Sequence, residues 1–451
     1  HPTNPSDDEA HICNIKLQKD AVGTLQMMTE DGDIFTDKAI VEFKYIRDNK
    51  SKWRWIPIKV RYDKTAQYLS GEKVYGNSYD VANSNWKSIH EPITLEMIIT
   101  GQNIPEDFDS GVYYTGDKSK SKTKSMRNFH NLYVKNSLIM NLSNPGDTLI
   151  DYAVGKVGDL NKWKMAKLSF VLGVDVSQDN IENKQDGACV RYIEMKNQTN
   201  SQLTALFTIC NSKYNLKEGT GFNSERDKMI YNSTIGRGPN DEKQIGKGLA
   251  RHYGRVSAGF NISSCQFALH YFFEDMVSLR GFIRNVAENT KIGGYFVGTC
   301  YDGTEIFNKL ASISKGESFV IGETDHKLLE VTKQYDSTSF DNDSSCLGYA
   351  IDVLQETIGK KFKEYLVNFN YLNRVMENYG FELLSQQEAN ALDMPVSSGN
   401  FSILFTKMLA EKQTYGQSHK MSENEKAISF LNRFFIYKKI RTVDAATVVL
   451  D

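Results

Sequence analysis

A glycine-containing turn and an aspartate farther along the chain predict a nucleoside-binding site. The apolar run Thr148–Tyr152 indicates a strand, and the turn after it, Ala153–Asp159, contains Gly155 and opens a predicted helix. Such a turn brings backbone N–H groups close to a ligand. A second apolar run ends in Asp175, whose carboxylate can accept hydrogen bonds from both vicinal hydroxyls of a ribose. An ordinary strand-to-helix turn with an N-capping acid is the alternative, and the residues alone leave both interpretations open.

The same turn argues against a dinucleotide. In the GxGxxG pattern that binds a pyrophosphate, Ala153 stands where the first glycine would be. A ligand without a pyrophosphate is therefore favoured over NAD. S-adenosylmethionine fits this requirement, because it offers a ribose, an adenine and a zwitterionic amino acid group.

Length and composition are typical of a globular protein with two or three domains. The chain has 451 residues, a net charge of −2 and 24% charged residues. It contains no apolar run of about 18 residues, so no membrane span is expected. The near-neutral charge excludes a basic coat but permits a local basic groove for nucleic acid. The six cysteines form no CxxC pair, which argues against a structural zinc and favours a reducing compartment.

The pattern of apolar residues divides the chain into two domains. Strand patterns at Ala39–Tyr45 and Trp53–Arg61 predict a small β-rich domain over residues 1–115, followed by a linker over 116–127. Strands that alternate with helices predict an α/β domain with a parallel sheet over 128–451. Its predicted strands are Thr148–Tyr152, Leu168–Val174, Phe260–Ser264, Gly294–Thr299 and Ile428–Arg441, and its predicted helices are Asn128–Met140, Asp159–Lys167 and Met276–Asn289.

Five segments of the second domain resemble the motifs of one enzyme family, in the family's order. SSCQFALHYFFE at Ser263–Glu274 closely resembles the signature of the mRNA cap guanine-N7 methyltransferases. The other four segments are RNFHNLYVKNSLI (127–139), IDYAVGKVGDLNKW (150–163), GGYFVGTCYDG (293–303) and EYLVNF (364–369). The resemblance implies a Rossmann-like, S-adenosylmethionine-dependent methyltransferase. It would methylate N7 of the cap guanine of GpppRNA, forming cap 0 and releasing S-adenosylhomocysteine.

The resemblance also implies a cofactor site. The first glycine of the family's motif falls on Ala153, a second on Val157, and the family's adenine-site aspartate falls on Asn211, whose amide can still bond adenine. The residues implied to bind the cofactor are Lys135, Ala153, Gly155, Asp159, Asp175, Asn211, Gln266 and Tyr271.

A cap site is implied in the same way. Its residues are His130, Asn131, Lys156, Lys162, Arg191, His270, Glu364 and Phe430. The lysines and the arginine suit the anionic triphosphate, and Glu364 can accept hydrogen bonds from guanine N1–H and N2–H₂. Phe430 is the nearest match to an aromatic position where the family usually has tyrosine. Guanine N7 is a neutral nucleophile, so we expect positioning alone, with no catalytic acid or base and no metal.

The first domain resembles a different part of the capping machinery. WRWIPIKVRYDKT at residues 53–65, with Arg61, Asp63 and Lys64, resembles the last motif of the mRNA guanylyltransferases and implies the OB-fold-like C-terminal part of such an enzyme. KQDG at Lys184–Gly187 resembles the nucleophile motif but follows the last motif instead of preceding it, so no guanylyl transfer is expected. The order resembles multifunctional capping enzymes of large cytoplasmic DNA viruses. It implies guanylyltransferase and triphosphatase parts on one full-length chain, in the host cytoplasm, the viral factory and the virion.

Two other functions stay open at this point. One is a different RNA methyltransferase, for example on the ribose 2′-O, although that chemistry needs a Lys/Asp/Lys/Glu set that we cannot assemble here. The other is a non-catalytic RNA-binding scaffold, suggested by Ala153, Val157 and Asn211. The expected partner is 5′-capped GpppN mRNA, and no membrane is expected.

Overall fold

The computed structural model describes residues 15, 17–46, 54–72, 75–77, 79–90, 122–323, 326–356 and 360–450. The chain divides into two compact units, His1–Val112 and Tyr113–Asp451, which are considered separately. Of the predicted linker, 116–127, residues 116–121 lie outside the described residues. In the described part of the chain, no helix has both the length and the apolar character that crossing a membrane requires.

The described residues of the first unit form two antiparallel strand pairs and two helices. Leu17–Lys19 (β1) pairs with Leu25–Met27 (β2), and Val41–Tyr45 (β3) pairs with Trp55–Val60 (β4). The helices are Tyr62–Leu69 (α1) and Tyr79–His90 (α2). The two predicted strands are therefore present, each slightly shorter than predicted. An OB-fold for this unit stays a prediction.

The second unit is built on a mixed sheet of eight strands. The strands are Thr148–Tyr152 (β5), Phe170–Asp175 (β6), Thr204–Ile209 (β7), Phe260–Gln266 (β8), Thr290–Tyr301 (β9), Phe381–Leu383 (β14), Ser398–Asn400 (β15) and Asn432–Lys439 (β16). Their order is β14-β16-β9-β8-β5-β6-β7, with β15 paired to β16. Strands β5 to β9 run parallel to one another, β16 is antiparallel to β9, and β14 and β15 each pair antiparallel with β16.

Helices enclose this sheet, so β6 is buried along its whole length, as expected for a parallel strand covered on both faces. The α-helices are Lys124–Asn128 (α3), Lys135–Met140 (α4), Leu160–Met165 (α5), Gln178–Glu182 (α6), Ala188–Gln198 (α7), Glu225–Thr234 (α8), Glu242–Ile245 (α9), Lys247–Ala250 (α10), Met276–Asn289 (α11), Gly303–Lys309 (α12), Phe369–Asn378 (α13), Gln386–Ala391 (α14), Phe401–Ala410 (α15) and Glu423–Ser429 (α16). A π-helix, Phe129–Val134, joins α3 to α4, and 3₁₀-helices lie at Leu269–Phe273, Ser344–Cys346 and Ser418–Lys420.

The second unit also contains a separate four-stranded antiparallel sheet. This sheet was not predicted from the sequence. Its strands, in order, are Ser318–Glu323 (β10), His326–Lys333 (β11), Ala350–Gln355 (β12) and Lys361–Tyr365 (β13). Lysines and acids interrupt the apolar pattern of these strands. This sheet matters for function because β13 carries Glu364.

Several predicted boundaries differ from those in the structure, and two of the differences matter for this unit. The predicted strand Ile428–Arg441 begins as a helix, because Ser422 and Glu425 form a capping box that starts α16; the strand itself is Asn432–Lys439. The end of the predicted linker also belongs to the folded unit. Met126 is buried, and its backbone N–H donates to Glu425 Oε1 at 2.9 Å.

A fragment that begins at Asn128, the predicted domain start, should be less stable than one that begins at Ser119. The shorter fragment loses the burial of Met126 and leaves the Glu425 carboxylate without one of its donors. We expect its free energy of unfolding to be lower by about 3 kcal/mol. Urea denaturation of both fragments measures this difference, and equal stabilities would restore the boundary at residue 128.

Candidate functional site

Several of the predicted cofactor residues lie at one edge of the main sheet. Because β5 to β9 are parallel, their carboxyl ends lie at the same edge, where ligands bind in open α/β sheets. The glycine turn follows β5, Asp175 ends β6, Asn211 follows β7 and Gln266 ends β8. Asp175 is thus at a strand tip, as predicted.

The turn after β5 keeps a left-handed backbone although two of its glycines are replaced. The φ angles are +57° at Ala153, +56° at Gly155 and +51° at Val157. In a side-chain-bearing residue this conformation costs roughly 1–2 kcal/mol. A Cβ built on Gly155 meets no atom within 4 Å, so the space beside the turn is open. The turn therefore keeps its strained backbone conformation beside the space where a ligand would lie.

Asp175 holds this turn in place. Its Oδ2 accepts a hydrogen bond from the Gly155 N–H at 2.8 Å, and its Oδ1 accepts from Ser177 N at 2.9 Å and Asn180 Nδ2 at 3.1 Å. Burial raises the pKa of Asp175, and these donors oppose that shift. A carboxylate has about four acceptor positions. The protein already uses three, which leaves fewer for a ribose than the sequence suggested.

Asp159 lies at the centre of a buried ion cluster. Its carboxylate contacts Lys135 Nζ at 3.0 Å and Lys162 Nζ at 2.7 Å. Burial alone would raise the pKa of Asp159, but the two lysine charges lower it below its usual value. The structure therefore brings Lys162 together with the implied cofactor residues instead of the implied phosphate contacts.

Asp151 is a buried acid that the sequence reasoning missed. It lies near the end of β5, and burial followed by the charge of Asp159 raises its pKa to about 8. The available signal was an acid inside the otherwise apolar run Thr148–Tyr152, which was interpreted only as a strand. Together with Lys135 and Asp159, Asp151 makes the buried part of this sheet edge strongly polar.

Lys156 and Arg191 come together on the other side of the turn. Arg191 Nη1 donates to the Lys156 carbonyl at 2.7 Å. The Lys156 ammonium lies 3.0 Å from Asp179 and 2.7 Å from Asp186. Burial lowers the pKa of Lys156, but these two carboxylates raise it more. Two acids therefore already balance the charge of Lys156.

The π-helix explains how two of the implied residues reach one aromatic ring. His130 stacks on Phe267 with ring centroids 5.4 Å apart, and Lys135 Nζ lies 6.0 Å from the same ring. In an α-helix, residues five apart would point about 140° away from each other. The wider turn, closed by the bond from Lys135 N to His130 O, brings them closer in direction.

Other contacts fix this segment against the rest of the unit. His130 Nε2 lies 2.8 Å from Ser429 Oγ, and burial followed by the charge of Lys135 lowers the pKa of His130 to about 3. Asn131 Nδ2 donates to Arg127 O at 3.0 Å. Both implied cap residues thus have protein partners.

His270 and Glu364 form an isolated polar pair inside the protein. Both side chains are 5% exposed, and His270 Nε2 lies 3.7 Å from Glu364 Oε2, too far for a hydrogen bond. Among the described residues, neither ring nitrogen of His270 nor Glu364 Oε2 has a hydrogen-bond partner. Burial lowers the pKa of His270 to about 3 and raises that of Glu364 to about 8. A buried polar group without a partner costs roughly 1–3 kcal/mol, so this pair indicates a polar ligand.

The loop that carries Asn211 is held by a side chain that the sequence reasoning also missed. Asn285 in α11 is fully buried and uses its whole amide on this loop. Its Nδ2 donates to the Ser212 carbonyl at 2.9 Å and the Tyr214 carbonyl at 2.8 Å, and its Oδ1 accepts from Leu216 N at 2.8 Å. The signal was an asparagine among the buried positions of an apolar helix.

The remaining implied residues are less closely grouped. Gln266 Oε1 accepts from Thr299 Oγ1 at 3.1 Å, and the Tyr271 ring lies 4.2 Å from that of His270. Phe430 packs against Phe405 with centroids 5.6 Å apart. In the described part of the chain, no ring contact joins Phe430 to His270. The individual ligand contacts of all these residues stay predictions.

Comparison with known proteins shows the family. Residues 110–440 match the mRNA (guanine-N(7))-methyltransferase domain, so the chain belongs to this family. A probable mRNA-capping enzyme of Acanthamoeba polyphaga mimivirus is 28% identical over 90% of this chain and 34% of that protein. The mRNA cap guanine-N(7) methyltransferase of Saccharomyces cerevisiae is 27% identical over 70% of this chain and 64% of that protein. The chain thus spans about a third of the length of the mimivirus relative.

A solved structure is also similar at a distance. It is a S-adenosylmethionine-dependent methyltransferase from Clostridium acetobutylicum, 12% identical over 71% of this chain and 93% of that chain. The TM-score of 0.32 is too low to support a conclusion. Assignment to the family rests on the match over residues 110–440.

The chain should form no covalent GMP–lysine adduct despite its KQDG sequence at Lys184–Gly187. Asp186 of this sequence forms an ion pair with Lys156. A Cβ at Gly187 would lie 2.6 Å from the Asn183 backbone, so the glycine is needed for close packing in a turn. Incubation with labelled GTP and magnesium should leave the protein unlabelled. A labelled band that disappears in Lys184→Ala would contradict this expectation.

Proposed function

We propose that this chain transfers a methyl group from S-adenosylmethionine to N7 of the guanine of capped RNA. The observation that carries the proposal is the buried pair His270 and Glu364: both ring nitrogens of His270 and Oε2 of Glu364 lack hydrogen-bond partners within the described residues. An ionised Glu364 can accept from guanine N1–H and N2–H₂ together, and His270 can bond the base or its ribose. Membership of the guanine-N7 methyltransferase family supports this assignment.

The edge of the main sheet fits the proposed cofactor. The open space beside Gly155 admits a ligand, Asp175 keeps an acceptor position for a ribose hydroxyl, and the Asn211 amide can bond adenine. The ion cluster of Lys135 and Asp159 suits a zwitterionic amino acid group. When bound, S-adenosylmethionine supplies an electrophilic methyl group.

In the proposed mechanism the protein positions the base and adds no acid or base step. Guanine N7 attacks through its own lone pair, so no proton has to leave it during transfer. Positive charge develops on the base, and the carboxylate of Glu364 stabilises that charge through its bonds to the guanine edge. His270, neutral because burial lowers its pKa to about 3, adds no opposing charge.

Transfer of labelled methyl groups to GpppRNA tests the function directly. After digestion of the RNA, the label should be on guanine N7 of the cap. Label on a ribose 2′-O would support the alternative methyltransferase instead. Absence of transfer together with intact RNA binding would support the scaffold alternative.

We further propose that the chain forms part of a longer capping enzyme, with guanylyltransferase and triphosphatase parts on the same polypeptide. The relative named as a probable mRNA-capping enzyme supports this proposal, because the matched region is 34% of that protein. Action in the host cytoplasm is part of the same proposal. Capped GpppN mRNA is the proposed substrate.

Cap binding should strengthen as the pH rises from 6 to 8. Guanine recognition requires ionised Glu364, whose pKa is about 8 in the free protein. Below that pKa, the ionised fraction and with it the apparent affinity fall about tenfold per pH unit. Calorimetric titration with the GpppA dinucleotide measures the effect.

Glu364→Gln is the matched control for this pH dependence. The amide keeps one acceptor but cannot ionise, so its affinity should be lower and should not change over the same pH range. A wild-type affinity that is flat between pH 6 and 8, or an equal slope in the variant, would show that Glu364 does not bind guanine in the ionised form.

Asn285→Ala should weaken binding of S-adenosylhomocysteine, because the loop that carries Asn211 loses the bonds that fix it. We expect the dissociation constant to rise about tenfold, which corresponds to about 1.4 kcal/mol. The preference for S-adenosylhomocysteine over S-inosylhomocysteine should shrink as well. Calorimetry with both ligands measures these changes.

Asn289→Ala provides the control on the same helix. Asn289 is also buried, but its Oδ1 accepts from Tyr231 Oη at 2.9 Å and does not contact the loop. This variant should lose comparable stability and keep its preference for adenine. If both variants change the preference equally, Asn285 contributes only to general stability.

A further inference from the structure

A strongly basic segment lies between β7 and β8. Over residues 236–258, here called the basic segment, the sequence has three arginines, two lysines and only two acids. The five cationic side chains are all exposed; they are Arg237, Lys243, Lys247, Arg251 and Arg255. Within the described part of the chain, none of the five forms an ion pair with a carboxylate. This surface therefore carries uncompensated positive charge in a chain whose net charge is −2.

The basic segment is held firmly on the folded unit. The Gly254 N–H donates to Ser233 O at 2.8 Å, and Val256 N–H donates to Thr234 O at 3.0 Å. Tyr253 Oη donates to Gly238 O at 2.8 Å. Ile245 and Val256 are buried. The positive charges consequently have defined positions.

The local pKa values reflect the same concentration of charge. His252 lies among these cations, and its ring centroid is 5.4 Å from that of Phe170. Burial lowers the pKa of His252, and the charges of Arg255 and Arg251 lower it further. The segment is thus a place where an added anion would be stabilised.

The cations near the proposed methyl-transfer site are different, because acids already balance them. Lys156 pairs with Asp179 and Asp186, while Lys135 and Lys162 share Asp159. A long polyanion therefore gains little net attraction from those side chains. The basic segment is the better source of such attraction.

We propose that the basic segment binds the phosphate backbone of RNA downstream of the cap. This inference rests on the proposed function, since the substrate of that reaction carries one negative charge per nucleotide. The contacts are electrostatic and independent of base sequence. They would raise the affinity for long transcripts without altering recognition of the cap itself.

The position of the segment sets a minimum RNA length. Arg255 Nη2 lies 3.5 Å from the carbonyl of Ser169, which directly precedes β6, so the segment is at the amino-terminal end of this strand. Asp175 and the proposed site are at the other end. Six residues of strand span about 20 Å. At about 3.4 Å per phosphate along a stacked strand, an RNA chain needs at least about six nucleotides to reach both places.

The test uses the full chain with Lys243→Ala, Lys247→Ala and Arg251→Ala combined, because these exposed side chains form no hydrogen bond or ion pair with another described residue. A capped RNA of about 20 nucleotides, an uncapped RNA of the same sequence and a GpppA dinucleotide are the probes. Fluorescence anisotropy at two salt concentrations measures the affinities. We expect both long RNAs to bind at least about fivefold more weakly at low salt, with a salt slope reduced by about 2. Dinucleotide binding should not change.

Lys309→Ala, Lys412→Ala and Lys420→Ala combined give a control that removes three exposed lysines elsewhere. This control should keep its affinity for long RNA. Unchanged binding of long RNA by the first variant, or an equal loss in the control, would overturn the proposal. The uncapped RNA separates it from the proposed function: if no methyl transfer occurs but the first variant still loses affinity for uncapped RNA, the function fails and this inference stands.

Discussion

The hydrogen bond from the Gly155 N–H to Asp175 Oδ2, at 2.8 Å, ties the end of β6 to the turn after β5. Because of this bond, the turn keeps left-handed residues at Ala153 and Val157 in spite of their side chains. Parallel pairing of β5 and β6 is what brings the two groups side by side. The rest of the proposed cofactor site is arranged around this junction, with Asp151 and Asp159 on the same edge.

The amino-terminal helical segment of the second unit depends on residues near the other end of the chain. Glu425 accepts from the Met126 N–H, and Ser429 contacts His130. The π-helix then directs both His130 and Lys135 towards Phe267. Lys135 reaches Asp159 only because these long-range contacts fix the segment on α16. The family match over residues 110–440 includes both of these segments.

Charge is used in two different ways on this molecule. Inside the candidate site, lysines and acids are paired and buried, so these groups define positions and the pairs carry little net charge. The buried pair His270 and Glu364 is neutral near pH 7. Its unpartnered polar atoms favour a ligand whose hydrogen-bonding groups complement them. On the surface, the basic segment keeps its charge free for a long anionic ligand.

The sequence by itself determined the elements whose pattern is local. The strand Thr148–Tyr152 and the helix Met276–Asn289 have the predicted bounds, and Asp175 ends its strand, because periodicity and flanking residues decide such features. Three features could be seen only in the tertiary structure. They are the four-stranded sheet that brings Glu364 near His270, the burial of Asp151, and the hydrogen bonds that the Asn285 amide makes. The tertiary structure also placed Lys162 on Asp159. These features depend on contacts between residues far apart in the chain, whose desolvation and pairing no local pattern records.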